Sequence, residues 1–385
     1  MNTIHRAYKF RFYPTPEQAV QLARTFGCAR FVYNHFLRVR ADGFFKDKER
    51  IGYNETAKRL TVLKQQPETA WLCEVSNIVL QQSLRNLDAA FQNFFQKRTK
   101  YPTFKSKHDK QSARYQIGGF RFKEDGLWLA KMNAPLDMRW SRKIKGVVSN
   151  VTISKDKAGR YFASLLSTEE VELLPVAKSV IGIDLGLKDA IITSEGQIVS
   201  NPKFYHKAEV SLAKAQRLLS RKQNGSKNRE KARIKVARVH ARIADSRNDW
   251  AHKLTTKLMF ENQMVSAESL NVKGMVKNHC LAKAIHDVGW GKIVQQLEYK
   301  AAWYGRTFVQ VDRFYPSSKR CSACGYILPS LDLSVRDWVC PECGASHQRD
   351  INAAINIREA GIAILAGVDM LRIHEHQNTA GHAGI

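Results

Sequence analysis

No segment of this sequence is both long and free of charge, so a membrane-spanning helix is not expected. The opening MNTIHRAYKFRFYPT lacks the apolar core of a signal peptide, and export is not expected either. Internal repeats and low-complexity blocks are absent, which excludes solenoids and arrays. Acidic residues are scarce: 35 Asp and Glu stand against 62 Lys and Arg, giving a formal net charge of +27 and a pI near 9.9. Such an excess repels itself unless a polyanion is bound, and it steers the chain toward phosphate backbones. A basic membrane-surface protein is the other reading of that charge, but no lone amphipathic anchor supports it. Cysteine is neither abundant nor even in number. Of the seven, Cys28, Cys73 and Cys280 are scattered and read as small core hydrophobes. An odd count without a secretory leader argues for a reducing, cytoplasmic setting and against a disulfide scaffold.

What remains is ample for a fold. A chain of 385 residues with 44% hydrophobic content has room for two to four domains. An alternating, strand-like opening, Ala7–Phe12, ends at Pro14-Thr15-Pro16, and a helix is expected from Pro16. The next ninety residues read mostly helical. The clearest stretch is 76–95, where Leu80, Leu84, Leu87, Phe91 and Phe94 recur at steps of three and four. From about Arg114 short alternating segments take over, separated by Gly118-Gly119, Asp125-Gly126 and Ala158-Gly159, the mark of an antiparallel sheet or barrel. Residues from Glu170 to Ser179 read as a linker. A hairpin is expected next, VIGIDLG…AIITSEGQIVS, turning at Ser194-Glu195-Gly196. Long helices follow over 205–260, parted at Gly225-Ser226. A second strand carries Glu268; a helix near 290–304 precedes a strand at Thr307–Val311.

Chemistry concentrates in two sets. Cys321-x-x-Cys324 and Cys340-x-x-Cys343 are separated by the 15 residues 325–339, and a glycine follows each pair. Two-residue spacing lets each pair grip one ion from a tight turn, and four thiolates close the tetrahedron, so a structural zinc is expected. The second set is acidic. Asp184 ends a strand-like run, Glu268 ends another, and Asp350 opens a helix in RDINAAINI. Each alone has an ordinary explanation: a turn residue, a solvated strand end, a helix cap. Together, from strand, strand and helix in a basic chain, they match the layout of RNase H-like nucleases, whose carboxylates bind divalent cations for phosphoryl transfer.

At these residues the sequence closely resembles the TnpB (OrfB-type) family of transposon-encoded proteins, related to type V CRISPR effectors. The likeness is carried by GIDLGLKD (182–189), ESLNVKGM (268–275), DRFYPSSKRCSACG (312–325) and WVCPECGASHQRDINAAINI (338–357). It extends to KFRFYPTPEQ, YPTFKSK (101–107) and HKLTTKL (252–258). The resemblance implies an α+β multidomain fold. An N-terminal wedge β-barrel (1–14 and 107–175) would hold an inserted helical recognition block (15–106). An RNase H-like (RuvC) mixed-sheet nuclease domain (176–318 and 347–365) would hold a zinc-ribbon insert (319–346), and 366–385 would form a flexible tail. It implies an RNA-guided DNA endonuclease that cleaves guide-matched DNA beside a short adjacent motif. The catalytic triad would be Asp184, Glu268 and Asp350, holding Mg²⁺, two ions by expectation, with Mn²⁺ as a substitute. The four cysteines would hold Zn²⁺. The guide RNA would derive from the transposon end, the target would be double-stranded DNA, and the protein would be a monomer in the ribonucleoprotein. Two departures stand out: Ser269 follows the central Glu where Asp or Asn is usual, and the third motif has Gln348 where HDRD is familiar.

Eleven cations line the basic helices: Lys214, Arg217, Arg221, Lys222, Lys227, Arg229, Lys231, Arg233, Lys235, Arg238 and Arg242, offset only by Glu230. They read either as a solvated face or as contacts to RNA or heteroduplex phosphates, and their density favours contact. For the adjacent motif, Tyr53, Asn54, Gln81, Gln82 and Arg85 are candidates, since Gln and Asn pair with adenine and Arg with guanine. Tyr115, Phe120, Phe122 and Trp128 read as barrel core before base-stacking residues. Two other functions compete: a transposase performing strand transfer, and a guided DNA-binding repressor without cleavage.

Overall fold

The computed structural model describes residues 2–123, 126–332 and 334–367. The expected tail lies outside them from residue 368, as does Asp125 of one expected turn. The chain divides into two compact units, one of residues 3–170 and one of residues from 171 onward with the first two.

The first unit runs β1 (Asn2–Tyr13), α1 (Pro16–Asp47), α2 (Tyr53–Leu63), a 3₁₀ turn (Pro67–Glu74), α3 (Asn77–Phe95), β2 (Gln111–Gln116), β3 (Phe120–Lys123), β4 (Gly126–Leu129), β5 (Asp137–Arg139), β6 (Val147–Lys155) and β7 (Tyr161–Val171). β1 alternates as expected: Tyr8, Phe10 and Phe12 are buried, while Lys9 faces water. α1 begins where Thr15 accepts from the Gln18 N–H and the Gln18 side chain accepts from the Thr15 N–H, a capping box with Pro16 in the first turn. Five strands form one sheet in the order β2-β6-β7-β1-β5, and β3 and β4 make a separate hairpin. Tyr115 lies in the sheet core, but Phe122 is exposed and Phe120 and Trp128 are half-buried. The hairpin stands outside the five-stranded sheet, so its period-2 pattern buries only Leu127 and Leu129. The helices share a second core around Val32, Phe36, Leu80, Leu84 and Leu87. Of the lone cysteines only Cys28 is buried; Cys73 and Cys280 are exposed, against expectation.

The second unit contains β8 (Val180–Asp184), β9 (Asp189–Thr193), β10 (Ile198–Ser200), α4 (Phe204–Ser220), α5 (Lys227–Glu261), β11 (Met264–Glu268), α6 (Val272–Met275), α7 (His279–Val288), α8 (Trp290–Tyr304), β12 (Thr307–Val311), β13 (Asp337–Val339), β14 (Ser346–Gln348) and α9 (Arg349–Leu365). The expected hairpin is a meander of three strands, because the chain also turns at residues 185–188 before the turn at Ser194–Gly196. The sheet order is β10-β9-β8-β11-β12. β8 pairs antiparallel with β9 and parallel with β11, and β11 pairs parallel with β12.

Alternation along these strands decides which face each side chain takes. Ile181, Ile183, Val265 and Ala267 pack in one core with α5, α7 and α8. Gly182 and Ser266 face the other way, toward α9. A Cβ on Gly182 would sit 2.0 Å from the Ala354 carbonyl oxygen and 2.6 Å from the Arg358 nitrogen, so α9 lies backbone to backbone on β8. Gly182→Ala should lower unfolding stability by about 3 kcal/mol or more, since the overpacked atoms are main chain. Urea denaturation tests this, and an unchanged midpoint would contradict the contact.

Candidate nuclease site and zinc ribbon

Asp184 and Glu268 lie two residues beyond Gly182 and Ser266, and so share the α9 face of the sheet. Ile183 pairs with Ala267 in the parallel ladder, which brings both acids to the same edge. Asp350 stands in the first turn of α9, above that edge. All three are half-buried. The carboxyl of Asp184 is pushed up to about 7, first by loss of water and then by the charges of Glu268 and Asp350; the Leu185 N–H and the Arg349 charge oppose the rise. Three elements thus hold like charges together.

The neighbours of the acids are as telling. Ser317 Oγ donates to Glu268 Oε1 at 2.5 Å. Arg336 reaches Asp350 with one nitrogen at 3.2 and 3.3 Å from its two oxygens. Gln348, the departure in the third motif, caps α9: its Oε1 accepts from the Ile351 N–H at 2.7 Å. Asp350 is therefore not the cap, and the ordinary explanation for it falls away. The Ser269 N–H, next to Glu268, donates to the Val311 carbonyl at 2.9 Å, tying that strand end to β12.

Between β12 and α9 lies the ribbon. The four cysteine sulfurs all fall within 4.8 Å of one another. Cys321 and Cys343 are 3.7 Å apart, Cys324 and Cys340 3.6 Å. A tetrahedron with Zn–S bonds of about 2.3 Å has edges of about 3.8 Å, so the donor set fits zinc. The two knuckles are built alike: the Gly325 N–H donates to the Cys321 carbonyl and the Gly344 N–H to Cys340, each at 2.9 Å. Both glycines have positive φ, 83° and 72°, which side chains resist. His347 Nε2 lies 3.0 Å from Cys321 Sγ, and its ring packs on Trp338 at 4.6 Å.

α4 and α5 form a hairpin closed by Arg229, which donates to the carbonyls of Leu219 (3.1 Å) and Lys222 (2.9 Å). Arg233 pairs with Glu230. These two cations are occupied locally. Lys214, Arg217, Arg221, Lys222, Lys227, Lys231, Lys235, Arg238 and Arg242 are exposed. In the first unit, Arg85 donates to the Tyr53 hydroxyl (3.3 Å) and to Gln116 (3.4 Å); Gln116 donates to Gln82 (2.8 Å), and Gln82 to Asn86 (3.0 Å). Tyr53, Gln82 and Arg85 are thus one network, with both ends of the Gln82 amide in use. Asn54 and Gln81 stand exposed outside it.

Sequence reasoning missed Ser317, Arg336, Asn352 and Asn356. The two asparagines carried a signal, since polar residues at i and i+4 interrupt the apolar face of RDINAAINI; Ser317 and Arg336 carried none.

The fold and site define an α+β chain with a carboxylate-bearing mixed sheet and a four-cysteine ribbon. The solved Cas12f1-sgRNA-target DNA complex shares that fold: its Cas12f1 chain superposes with a TM-score of 0.60 at 15% identity over 93% of this chain and 99% of that one. The family model described as "Cas12f1-like, TNB domain" matches residues 290–357, the OrfB/IS605 model "Probable transposase" matches 165–279, and a "Helix-turn-helix domain" model matches 1–48. A Streptomyces pristinaespiralis protein named "Putative RNA-guided DNA endonuclease" is 47% identical over all of this chain and 96% of its own length. The InsQ protein of Escherichia coli K12, with the same description, is 33% identical over 95% of each. The chain belongs to the TnpB (OrfB/IS605) family. No helix among the described residues is long and apolar enough to cross a membrane.

A raised carboxyl predicts a pH dependence. Asp184 is protonated in both states below its ordinary value of 3.8, and folding loses stability as pH climbs through about 7. Asp184→Asn should therefore stabilise the metal-free protein on the order of 1–3 kcal/mol at pH 8 and leave it unchanged near pH 4. Thermal melts across that range check the sign.

Proposed function

We propose that this chain is an RNA-guided DNA endonuclease of an IS605-type insertion sequence, with Asp184, Glu268 and Asp350 as its catalytic carboxylates. The observation that carries the reading is the convergence of three acids from separate elements on one sheet edge, where loss of water and then the charges of Glu268 and Asp350 push the Asp184 carboxyl up to about 7. Divalent cations suit such a cluster, and Asp184, Glu268 and Asp350 would hold Mg²⁺. When bound, Mg²⁺ supplies charge neutralisation and activation of water for attack on a phosphodiester. The chain's own groups do the rest. Ser317 fixes the orientation of Glu268, and Arg336 pairs with Asp350, setting a positive charge beside the acids where a phosphate has reason to approach.

The second unit then reads as an RNase H-like (RuvC) domain, with a zinc-ribbon insert at 319–346 and its remaining segments at 176–318 and 347–365. The first unit reads as a wedge (1–14 and 107–175) with a helical recognition block (15–106). The exposed cations of α4 and α5 serve guide RNA or heteroduplex phosphates. Tyr53, Arg85 and the exposed Asn54 and Gln81 are the candidates for motif reading, with Gln82 joined to Arg85 through Gln116. The guide from the transposon end, the double-stranded target with its adjacent motif, and the monomeric ribonucleoprotein complete the reading. Cas12f1, solved in complex with sgRNA and target DNA, is the precedent for such an assembly on this fold.

Strand transfer is the second reading, favoured by the "Probable transposase" and "Helix-turn-helix" descriptions. Residues 2–47, however, form a strand and one continuous helix, with no second helix to make that motif.

Protein purified with co-expressed RNA should cut a randomised-flank plasmid library in Mg²⁺ only at guide-matched sites beside one motif. Asp184→Ala should bind the same targets and cut none. Joined strands would support transposition, binding without cleavage by either protein a guided repressor, and absence of bound RNA would end the guided model. Replacing Lys231, Lys235 and Arg238 with Ala should weaken RNA binding and flatten the slope of log affinity against log salt by up to about three. An unchanged slope would return those side chains to the solvated face.

A further inference from the structure

α9 carries Asn352 and Asn356 one turn apart, both buried, at 1% and 3% exposure. Asn356 Nδ2 donates to the carbonyls of Ser317 (2.9 Å) and Arg320 (2.6 Å). Asn352 Nδ2 donates to Arg320 (2.8 Å) and, at 3.5 Å, to Ser317. Asn352 Oδ1 accepts from the Ser322 N–H at 3.0 Å. Two carboxamides therefore satisfy the main chain from Ser317 to Ser322, the stretch that runs into the first zinc cysteine. Buried amides left without partners are costly, so α9 and this stretch have one favoured register. In that register the Ser317 hydroxyl meets Glu268.

We propose that Ser317, seated by Asn352 and Asn356, is a positioning residue that presents Glu268 to the divalent cation. The inference rests on the reading of Glu268 as a metal carboxylate. The terminal torsion of a glutamate is a soft rotor. One hydroxyl donor on Oε1 fixes it and leaves the carboxylate's other lone pairs for a cation. The same asparagines hold the backbone on either side of Cys321, so ribbon and carboxylate are assembled together.

The experiment uses the full-length chain and Mn²⁺ as probe. Binding is followed by the loss of free Mn²⁺ paramagnetic signal, with Asp184→Ala as baseline and zinc content measured on each protein. Ser317→Ala should weaken Mn²⁺ binding about tenfold, as loss of an outer partner typically does. The Mg²⁺ concentration for half-maximal cleavage should rise by a similar factor, with KM for target DNA and zinc content unchanged. Ser317→Thr, which keeps the hydroxyl, should restore both. Asn356→Asp, isosteric but without the amide donor, should move them as Ser317→Ala does. A lower melting temperature with wild-type Mn²⁺ affinity and Mg²⁺ dependence would reduce Ser317 to a structural role and overturn the proposal. Mn²⁺ binding by wild type without cleavage would count against the nuclease reading alone, and the proposal would then stand on the Mn²⁺ affinities. Wild-type binding no better than that of Asp184→Ala would overturn both.

Discussion

The seat of α9 on β8 is the constraint on which the rest of the second unit depends. A helix cannot approach a strand closely enough for a Cβ to fall 2.0 Å from its backbone unless that Cβ is missing, and Gly182 removes it. The close approach determines where the first turn of α9 ends up, and with it Asp350. Sheet alternation then does the remaining work. Because Gly182 faces α9, so does Asp184; because Ser266 faces α9, so does Glu268. Three carboxylates converge through one packing contact and the period of two parallel strands, although no two of them are close in sequence.

Convergence carries an electrostatic cost that the protein does not remove. Loss of water and then the charges on Glu268 and Asp350 raise Asp184, and the nearby cations Arg349 and Arg336 offset only part of the repulsion. A net charge of +27 makes the contrast sharper: cations are plentiful, yet most of those on α4 and α5 stand in solvent rather than against the acids. The molecule separates a negative cluster, proposed above to hold divalent ions, from exposed positive surfaces suited to polyanions. That separation is what metal-dependent chemistry on a phosphate backbone needs, since lysines crowded around the carboxylates would compete with the ions.

Elements with a strong local period were legible in the sequence. Helix α8 and strand β12 fall at the expected bounds, and the helix break at Gly225-Ser226 is the α4–α5 turn. The cysteine set was legible because metal geometry imposes its spacing directly on the chain. The acids were legible as candidates only, since each also fits an ordinary turn, edge or cap. The role of Gln348 in capping α9 decides one of those cases, and no propensity argument supplies it. Ser317 and Arg336 were out of reach because their significance lies in tertiary neighbours far away in sequence. The extra turn at residues 185–188 was missed because LGLK carries little turn chemistry beyond one glycine.

A four-cysteine ribbon beside the acidic edge invites the question of why it is there at all. The ribbon is inserted between β12 and α9, the two elements that flank the acidic edge, so its fold governs how the chain returns from sheet to helix. Arg336 enters from the residue before β13 and reaches Asp350, while its carbonyl accepts from the Arg349 N–H at 2.7 Å. On the other side, the backbone around Cys321 is gripped by Asn352 and Asn356. Both ends of the insert are therefore fastened to the first two turns of α9. An insert of this size without a metal has too small a core to hold its own shape: Cys321, Trp338 and Cys340 are its only fully buried hydrophobic side chains among the described residues. A zinc ion on the four cysteines would make the insert rigid, and a rigid insert would set the start of the helix that carries Asp350.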